Sequence, residues 1–456
     1  MKRCTTLAMA LLMGLPALAA SEAGLEQKKA FDVDFGGDLR LRYDFTNNLP
    51  DDDHGEKGHT DYARVRTRLW GKATVRQLEF FVRVANEFRY YNSRESDKGK
   101  QRFPDVTFID NLYLKYSDLF GMMDVKLGRQ EMAFGAKRII SDGTGGDGSR
   151  SNYFDALRLT FKFDNARTLD AFAVYQAADD WLPTLGHTHD AKSKHGKGYD
   201  YETSGYDQNE YGLGLYYQDR SNKAFGWDLY YVFKVEDANH GYDYGDFLGA
   251  IGDDTFNTHT FGVRILPRFS EELSGEAELA AQFGDDGHSA AMAYGGLTYA
   301  PKGWALKPKF TAAVQYMTGD EEGWTGDNAW HPVFNRETGV GEAVAPMFPK
   351  YAYNNFLYPH LKVGLTPAEN HSLTLQAGPM FAPVSEDDGM GGSYGNFRGF
   401  YAQAKYAWAF GKAFDQTWLK GLACAVQLEY LGKGDYFADD EDGDALFARM
   451  ELTYKF

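Results

Sequence analysis

Residues 445–456 read ALFARMELTYKF, an alternation of apolar and polar side chains. Leu446, Met450 and Phe456 belong to the apolar set, whereas Arg449 and Lys455 belong to the polar set. Because successive side chains of a β-strand point to opposite faces, this period predicts a strand with one apolar face and one charged face. A soluble sheet seldom carries such an alternation through to a final phenylalanine, so we expect the apolar face to contact lipid.

The other end of the sequence predicts export from the cytoplasm. Lys2 and Arg3 form a short positive region, residues 5–16 an apolar core, and residues 17–19 a small-residue cleavage site. These features are typical of a secretory signal peptide, so we expect residues 1–19 to be removed. Because no later segment approaches the roughly 18–20 apolar residues of a transmembrane helix, strands are expected to cross the membrane instead.

The composition agrees with a membrane barrel. The mean hydropathy of −0.50 is that of a polar protein, yet the chain contains 33 Phe, 30 Tyr and 8 Trp. A transmembrane barrel combines both properties, because only one residue in two faces lipid while the lumen and loops are polar. The net charge of −17 makes nucleic acid an unsuitable partner.

Residues 20–456 predict one domain, an all-β, transmembrane, antiparallel up-and-down β-barrel of about 18 strands. The alternating segments have about the 9–11 residues, plus extensions, that tilted membrane strands need. Short turns on the periplasmic side are expected to alternate with long extracellular loops, and an even strand count near 18 makes a lumen of channel size. The long connections are residues 47–60, 92–104, 133–153, 179–207, 238–254, 284–289, 319–350, 383–396 and 432–444.

Several basic residues fall on the face of their strands that should line the lumen. One face of the segment 63–75 carries Arg64, Arg66 and Arg68, and the next segment carries Arg83 and Arg89. An arginine that points into lipid costs about 2–4 kcal/mol at the midplane, so these side chains are expected to face inward. One interpretation is a rigid wall in which the arginines pair with Glu79 and Glu87. The other is a path for anions, in which guanidinium groups bind carboxylates.

A second group of residues carries a family resemblance. Residues 128–131 read GRQE, 134–135 FG, 138–139 RI, and 153–158 YFDALR. This pattern resembles the signature of the alginate export porin family, which are outer-membrane barrels of eighteen strands. The closing Phe456 likewise resembles the last residue of bacterial outer-membrane barrels, where it belongs to the signal read by the assembly machinery.

The resemblance implies passive passage of an anionic polysaccharide through an arginine-rich constriction. It suggests pore-lining or loop-anchoring roles for Arg129, Glu131, Arg138, Asp155 and Arg158. A structural alternative is that Glu131 and Asp155 hold Arg129 and Arg158 in ion pairs and so fold the loop between the two strands inward. The glycine-rich stretch 142–149 departs from the family pattern.

No metal site or cofactor is predicted with a complete ligand set. His187, His189 and His195 share a long loop with Asp190, but no clear fourth zinc ligand accompanies them. The acidic clusters 51–53, 386–388 and 439–442 fall in outer loops, where they are solvated charges or calcium and magnesium ligands that bridge to lipopolysaccharide.

The predicted function is an outer-membrane channel for passive diffusion or export of anionic solutes, such as an acidic polysaccharide or oligosaccharide like alginate. The alternative is a general or small-solute porin, because a fold does not fix a substrate. An enzyme is not expected, since most histidines fall in loops without a nearby nucleophile on a strand. The expected location is the outer membrane of a Gram-negative bacterium, with membrane lipid and lipopolysaccharide as partners, and with periplasmic delivery proteins if the substrate is a polymer. The resemblance implies a monomer.

Overall fold

The sheet of this protein closes on itself. In the computed structural model, strand β1 (Asp32–Asn47) pairs with β4 (Thr60–Val75) on one side and with β20 (Ala445–Lys455) on the other. Phe456 also exchanges two backbone hydrogen bonds of 3.0 Å with Gly37. The structure describes residues 31–50, 56–92, 107–141, 153–177, 182–183, 209–237, 255–321, 327–335, 340–348, 353–385, 394–412, 419–437 and 443–456.

Eighteen strands of this described part form one antiparallel barrel, as the sequence predicts. The strands between β4 and β20 are β5 (Leu78–Tyr91), β6 (Thr107–Leu119), β7 (Met123–Gln130), β8 (Phe154–Lys162), β9 (Arg167–Gln176), β10 (Glu210–Asp219), β11 (Phe225–Glu236), β12 (Phe256–Pro267), β13 (Leu273–Gly284), β14 (Ser289–Tyr299), β15 (Lys309–Met317), β16 (Phe356–Leu365), β17 (His371–Phe381), β18 (Phe397–Ala409) and β19 (Leu422–Lys433). A small antiparallel pair, β2 (Leu49–Pro50) and β3 (Glu56–Lys57), lies between β1 and β4. Short 3-10 helices occupy Asp285–Gly287, Ala345–Met347 and Phe410–Lys412. None of the helices in the described ranges is long and apolar enough to cross a membrane.

The wall has an apolar outer face and a polar inner face, which confirms the alternation in the sequence. On β13, Leu279 is 57% exposed and Glu278 only 2%. On β19, Leu428 is 54% exposed and Glu429 only 4%. Because neighbouring side chains on a strand point to opposite faces, the leucines face lipid and the glutamates face the lumen.

Connections at one end of the barrel are short. Residues 76–77, 163–166 and 268–272 join neighbouring strands there, and Asp32 lies beside the first of these turns because it pairs with Thr74. Outer-membrane barrels place their short turns in the periplasm, so we refer to this as the periplasmic end. The prediction of a long connection at 284–289 was wrong. A single 3-10 turn, Asp285–Gly287, joins β13 to β14, since Asp286 and Gly287 adopt the positive φ angles that reverse a chain within few residues.

A β-bulge interrupts β6 at Asp110, where the alternation of polar and apolar positions shifts by one residue. Arg83 of β5 lies opposite Asn111, but its neighbour Val84 lies opposite Ile109, so Asp110 is the extra residue. Such a bulge re-aims a side chain, and here it turns the buried Asp110 toward Arg83.

Two chain segments fold into the lumen from the other end. The first comprises residues 131–141, which follow β7, and the described parts of the second are residues 327–335 and 340–348, between β15 and β16. The segments meet where the Ser141 N–H donates to the Phe334 carbonyl at 3.0 Å and the Phe334 N–H donates to the Ile139 carbonyl at 3.1 Å.

These segments build an apolar core inside the barrel. Phe134 stacks on Phe172 of β9 and Tyr216 of β10, with ring centroids 5.6 and 5.0 Å apart. Trp330 and Val344, from the second segment, are also buried there. In the described ranges, this core takes side chains from strands between β8 and β20 but none from β1 or from β4 to β7. The lumen is therefore filled asymmetrically, with charged side chains lining the wall of β1 and β4–β7.

We predict that Leu279→Arg destabilises the barrel by about 2–4 kcal/mol, because the guanidinium would lie near the middle of the lipid face. Unfolding in urea from lipid vesicles measures this change. Leu279→Met is the matched control and should be nearly neutral, because it keeps an apolar side chain of similar volume. Equal stability of the arginine variant and the control would contradict the assignment of this face to lipid.

Candidate functional site

Arginines of β1 and β4 lie side by side on the lumen wall. Arg40 is in register with Arg66, and Arg42 with Arg64. Their strand neighbour Leu41 is 43% exposed on the outer face, so the arginines point inward. Like charges directly opposite one another on paired strands repel. The wall therefore needs carboxylates between these side chains.

Three carboxylates interleave with the arginines. Asp38 accepts hydrogen bonds from Arg66 Nη2 at 3.1 Å and from Arg68 Nε at 2.7 Å. Glu87 accepts one from Arg64 Nε at 3.0 Å. Glu451 accepts from Arg42 Nη2 at 2.9 Å and lies 3.9 Å from Arg40 Nη1. We call these five arginines, Arg40, Arg42, Arg64, Arg66 and Arg68, the arginine wall. With its three carboxylates the arginine wall carries a net charge of +2 and is held in fixed geometry.

The remaining predicted arginines of β5 lie in different surroundings. Arg83 binds both oxygens of Asp110 through its Nε, at 2.8 and 2.9 Å, and also pairs with Glu131. This arginine thus ties the start of the first inward segment to the wall. Arg89 is exposed, with its guanidinium carbon 5.5 Å from the centroid of the Tyr62 ring.

Arg129 and Asp155 form a buried pair beside the exit of β7. Two parallel hydrogen bonds join them, from Nε at 2.9 Å and from Nη2 at 3.0 Å. Nη1 donates to the Ile109 carbonyl at 2.8 Å, and the guanidinium lies 3.7 Å from the centroid of the Tyr153 ring. The preceding Gly128 has φ of 118°, and a Cβ there would lie 2.3 Å from the Leu112 carbonyl oxygen. This close approach explains why the pattern has glycine at that position.

Arg138 fastens the first inward segment to the opposite wall. Its Nη1 donates to Glu276 at 2.7 Å and to Glu278 at 2.6 Å, and its guanidinium lies 3.5 Å from the centroid of the Tyr294 ring. Burial alone would lower the pKa of Arg138, but the two β13 carboxylates raise it above its ordinary value. Arg158, on β8, pairs with Asp170 at 2.8 Å.

The second inward segment is fastened in the same way. The His331 backbone N–H donates to Gln282 Oε1 at 2.9 Å, and Gln282 Nε2 donates to the His331 carbonyl at 2.8 Å. Burial lowers the pKa of His331, against the effect of Glu236, whose carboxylate lies 3.0 Å from His331 Nε2. Further along, Glu342 pairs with Arg449 of β20 at 3.1 Å.

Sequence reasoning missed part of this site. Arg40 and Arg42 alternate with Leu39, Leu41 and Tyr43, which is the same signal that identified the arginines of β4. Their importance depends on the pairing of β1 with β4, which brings four arginines into two adjacent pairs. Lys126 of β7 was also missed, although it alternates with Val125 and Leu127 in the same way.

Other predicted groups fall outside the described residues. They are the acidic clusters 51–53, 386–388 and 439–442, the histidines at 187, 189 and 195, and the stretch 142–149.

Residues 391–395 read GGSYG, which has the Gly-x-Ser-x-Gly spacing of some hydrolases. That motif works at a turn from a strand into a helix, whereas these residues lie between strands β17 and β18.

A closed eighteen-stranded barrel with an apolar outer face and a charged lumen is the architecture of an outer-membrane channel. The sequence profile of the alginate export family matches residues 31–415, and the chain belongs to this family. It is a protein of the Gram-negative outer membrane.

Solved structures agree on the fold. The outer membrane protein OpdK from Pseudomonas aeruginosa superposes with a TM-score of 0.57 at 11% identity, covering 93% of this chain and 98% of that one. OccK8 (OprE) of the same organism gives a TM-score of 0.56 at 13% identity, with the same shares covered. OpdQ, also from this organism, gives 0.57 at 11% identity, covering 93% and 97%. No curated protein matches the sequence.

We predict that Arg138→Met loosens the first inward segment, because it removes the guanidinium that pairs with Glu276 and the buried Glu278 and leaves Glu278, among the described cations, only Arg264, at 4.0 Å. Hydrogen exchange of backbone amides in residues 131–141 should accelerate by about tenfold or more, a change of about 1.4 kcal/mol in local stability. Arg167→Met is the control, since that arginine pairs with Asp164 in an exposed periplasmic turn. Unchanged exchange in the Arg138 variant would show that other contacts hold the segment.

Proposed function

We propose that this channel passes anionic solutes, with an acidic polysaccharide or oligosaccharide such as alginate as its substrate. The observation that carries the proposal is the arginine wall, a net positive surface inside a protein whose net charge is −17. Within a lumen bounded by low-dielectric walls, such charge concentrates anions.

The chemistry of the wall suits a chain of carboxylates. A guanidinium donates parallel hydrogen bonds that match the two oxygens of a carboxylate. Each arginine of the wall is already near a protein carboxylate, so a passing anion would exchange with Asp38, Glu87 or Glu451. This competition keeps each contact weak, and conduction requires contacts that release their ligand.

The asymmetric filling of the lumen supports the same proposal. In the described ranges the apolar core takes no side chain from β1 or from β4–β7, and we therefore place the path of the anion beside those strands. An anion on that path would pass the arginine wall at close range. Of the other predicted residues, we assign Arg83, Glu131, Arg129, Asp155 and Arg138 to positioning the inward segment, and Arg89 to the outer rim.

A general or small-solute porin is the alternative, and it has the same fold. The distinguishing property is the affinity for oligomeric uronates, because a small-solute pore would conduct without being blocked by them. We assign no catalytic role to any residue. The proposal includes cleavage of residues 1–19, monomeric barrels in contact with lipopolysaccharide, and periplasmic proteins that deliver the polymer.

Replacing Arg64, Arg66 and Arg68 by glutamine should remove the anion preference. The wall would keep Arg40 and Arg42 against Asp38, Glu87 and Glu451, so its net charge would change from +2 to −1. We expect the reversal potential in a planar bilayer under a salt gradient to shift toward cations, and block by an oligouronate to weaken by at least tenfold.

The control for this experiment is Lys302→Gln, which removes a positive charge from an exposed turn where Lys302 pairs with Glu271. That variant should keep the selectivity of the parent channel. If the triple variant also keeps it, the arginines serve only as wall structure.

A further inference from the structure

Three cations lie in one row on the periplasmic half of the lumen wall. Lys126 of β7 is in register with Lys115 of β6 on one side and with Arg158 of β8 on the other. Residues paired in this way are about 4.5–5.5 Å apart at their Cα atoms, and like charges at that spacing repel. Lys126 is the fourth residue of β7, a strand that starts at the 120–122 turn, so the row lies near the periplasmic mouth.

The two outer members of the row have carboxylate partners. Lys115 Nζ lies 3.3 Å from Asp124, and Arg158 Nε lies 2.8 Å from Asp170. Among the described residues, no carboxylate forms an ion pair with Lys126. Its ammonium lies instead 3.8 Å from the centroid of the Tyr113 ring. The central cation of the row thus packs on an aromatic face, and Glu79 and Glu131 attract it without forming an ion pair.

An aromatic column extends from this position along the lumen wall. The Tyr113 and Phe81 rings are stacked with centroids 5.0 Å apart, and Phe81 and Trp70 follow at 5.9 Å. The register places Phe81 opposite both Lys72 and Tyr113. Leu69 and Phe80, on the alternate positions of the same strands, are exposed on the lipid face, so the aromatic column faces the lumen. The Tyr113 hydroxyl donates to Glu79 Oε1 at 3.1 Å, which fixes the ring beneath Lys126.

The two outer members of this row are more accessible than the arginine wall. The side chains of Lys115 and Arg158 are 33% and 26% exposed, whereas those of Arg40, Arg42 and Arg66 are 7%, 1% and 6% exposed. A solute that enters from the periplasm would therefore meet the row first.

We propose that Lys126, flanked by Lys115 and Arg158, is a carboxylate-binding subsite that receives an acidic sugar unit at the periplasmic entrance. A sugar acid has a carboxylate for the cations and an apolar C–H face for the adjacent aromatic column, and few small anions have both. Lysine suits an entry site, because its ammonium is a compact, well-hydrated charge without the bidentate geometry of arginine. The inference rests on the proposed function and adds to it the place where the substrate is first bound.

The experiment adds a short oligouronate to one side of the bilayer at a time and measures how fast it blocks single channels. Electrostatic steering by clustered charge raises association rates by about tenfold or more, so Lys126→Met should slow block from the periplasmic side by about tenfold. Block from the extracellular side should change less than twofold, and Lys126→Arg should restore the parent rate. Lys302→Met is the matched control, since it removes a lysine charge at the same end of the barrel but outside this wall.

The outcomes separate this inference from the proposed function. If the parent channel is not blocked from either side, the proposed function fails. If the parent channel is blocked and Lys126→Met behaves like the parent, the entry subsite is refuted while the function stands. Inorganic phosphate should compete weakly with the oligouronate, and equal competition would overturn the assignment to an acidic sugar.

Discussion

Every backbone hydrogen bond of this barrel must be made within the sheet, because the hydrocarbon of a membrane cannot supply one. That constraint explains why β1 pairs with both β4 and β20, and why the chain closes through hydrogen bonds between Gly37 and Phe456. Closure removes the sheet edges and encloses a lumen. With lipid outside, the lumen is the only place within the membrane where the charged half of each strand can lie.

The enclosed charges then determine one another's positions. The pairing of β1 with β4 brings arginines face to face, and Asp38, Glu87 and Glu451 are interleaved to offset their repulsion. By the same kind of pairing, Arg138 fastens the first inward segment to β13 on the far wall, and Glu342 fastens the second to Arg449 of β20, next to β1. The result is a lumen with an apolar core on one side and a net positive surface on the other, and the proposed transport of acidic sugars follows from that asymmetry.

The sequence predicted those features that depend on the period of two. The strand count, the inward direction of Glu278 and the outward direction of Leu279 all follow from it. Features that depend on which strands meet could not be derived in this way. The opposition of Arg40 and Arg66 requires the register of β1, and the packing of Phe134 against Tyr216 joins segments far apart in the chain. The inward segments show no periodicity, and the connection at 284–289 turned within fewer residues than its polar composition suggested.

The most direct test of this account is the reversal potential of the unmodified channel in a planar bilayer under a salt gradient, measured before and after addition of an oligouronate. A channel for acidic sugars should give a potential on the anion-selective side and a current that the oligouronate blocks. A potential near zero, with a current that the oligouronate leaves unchanged, would contradict it and would make the arginine wall a structural element of a general porin.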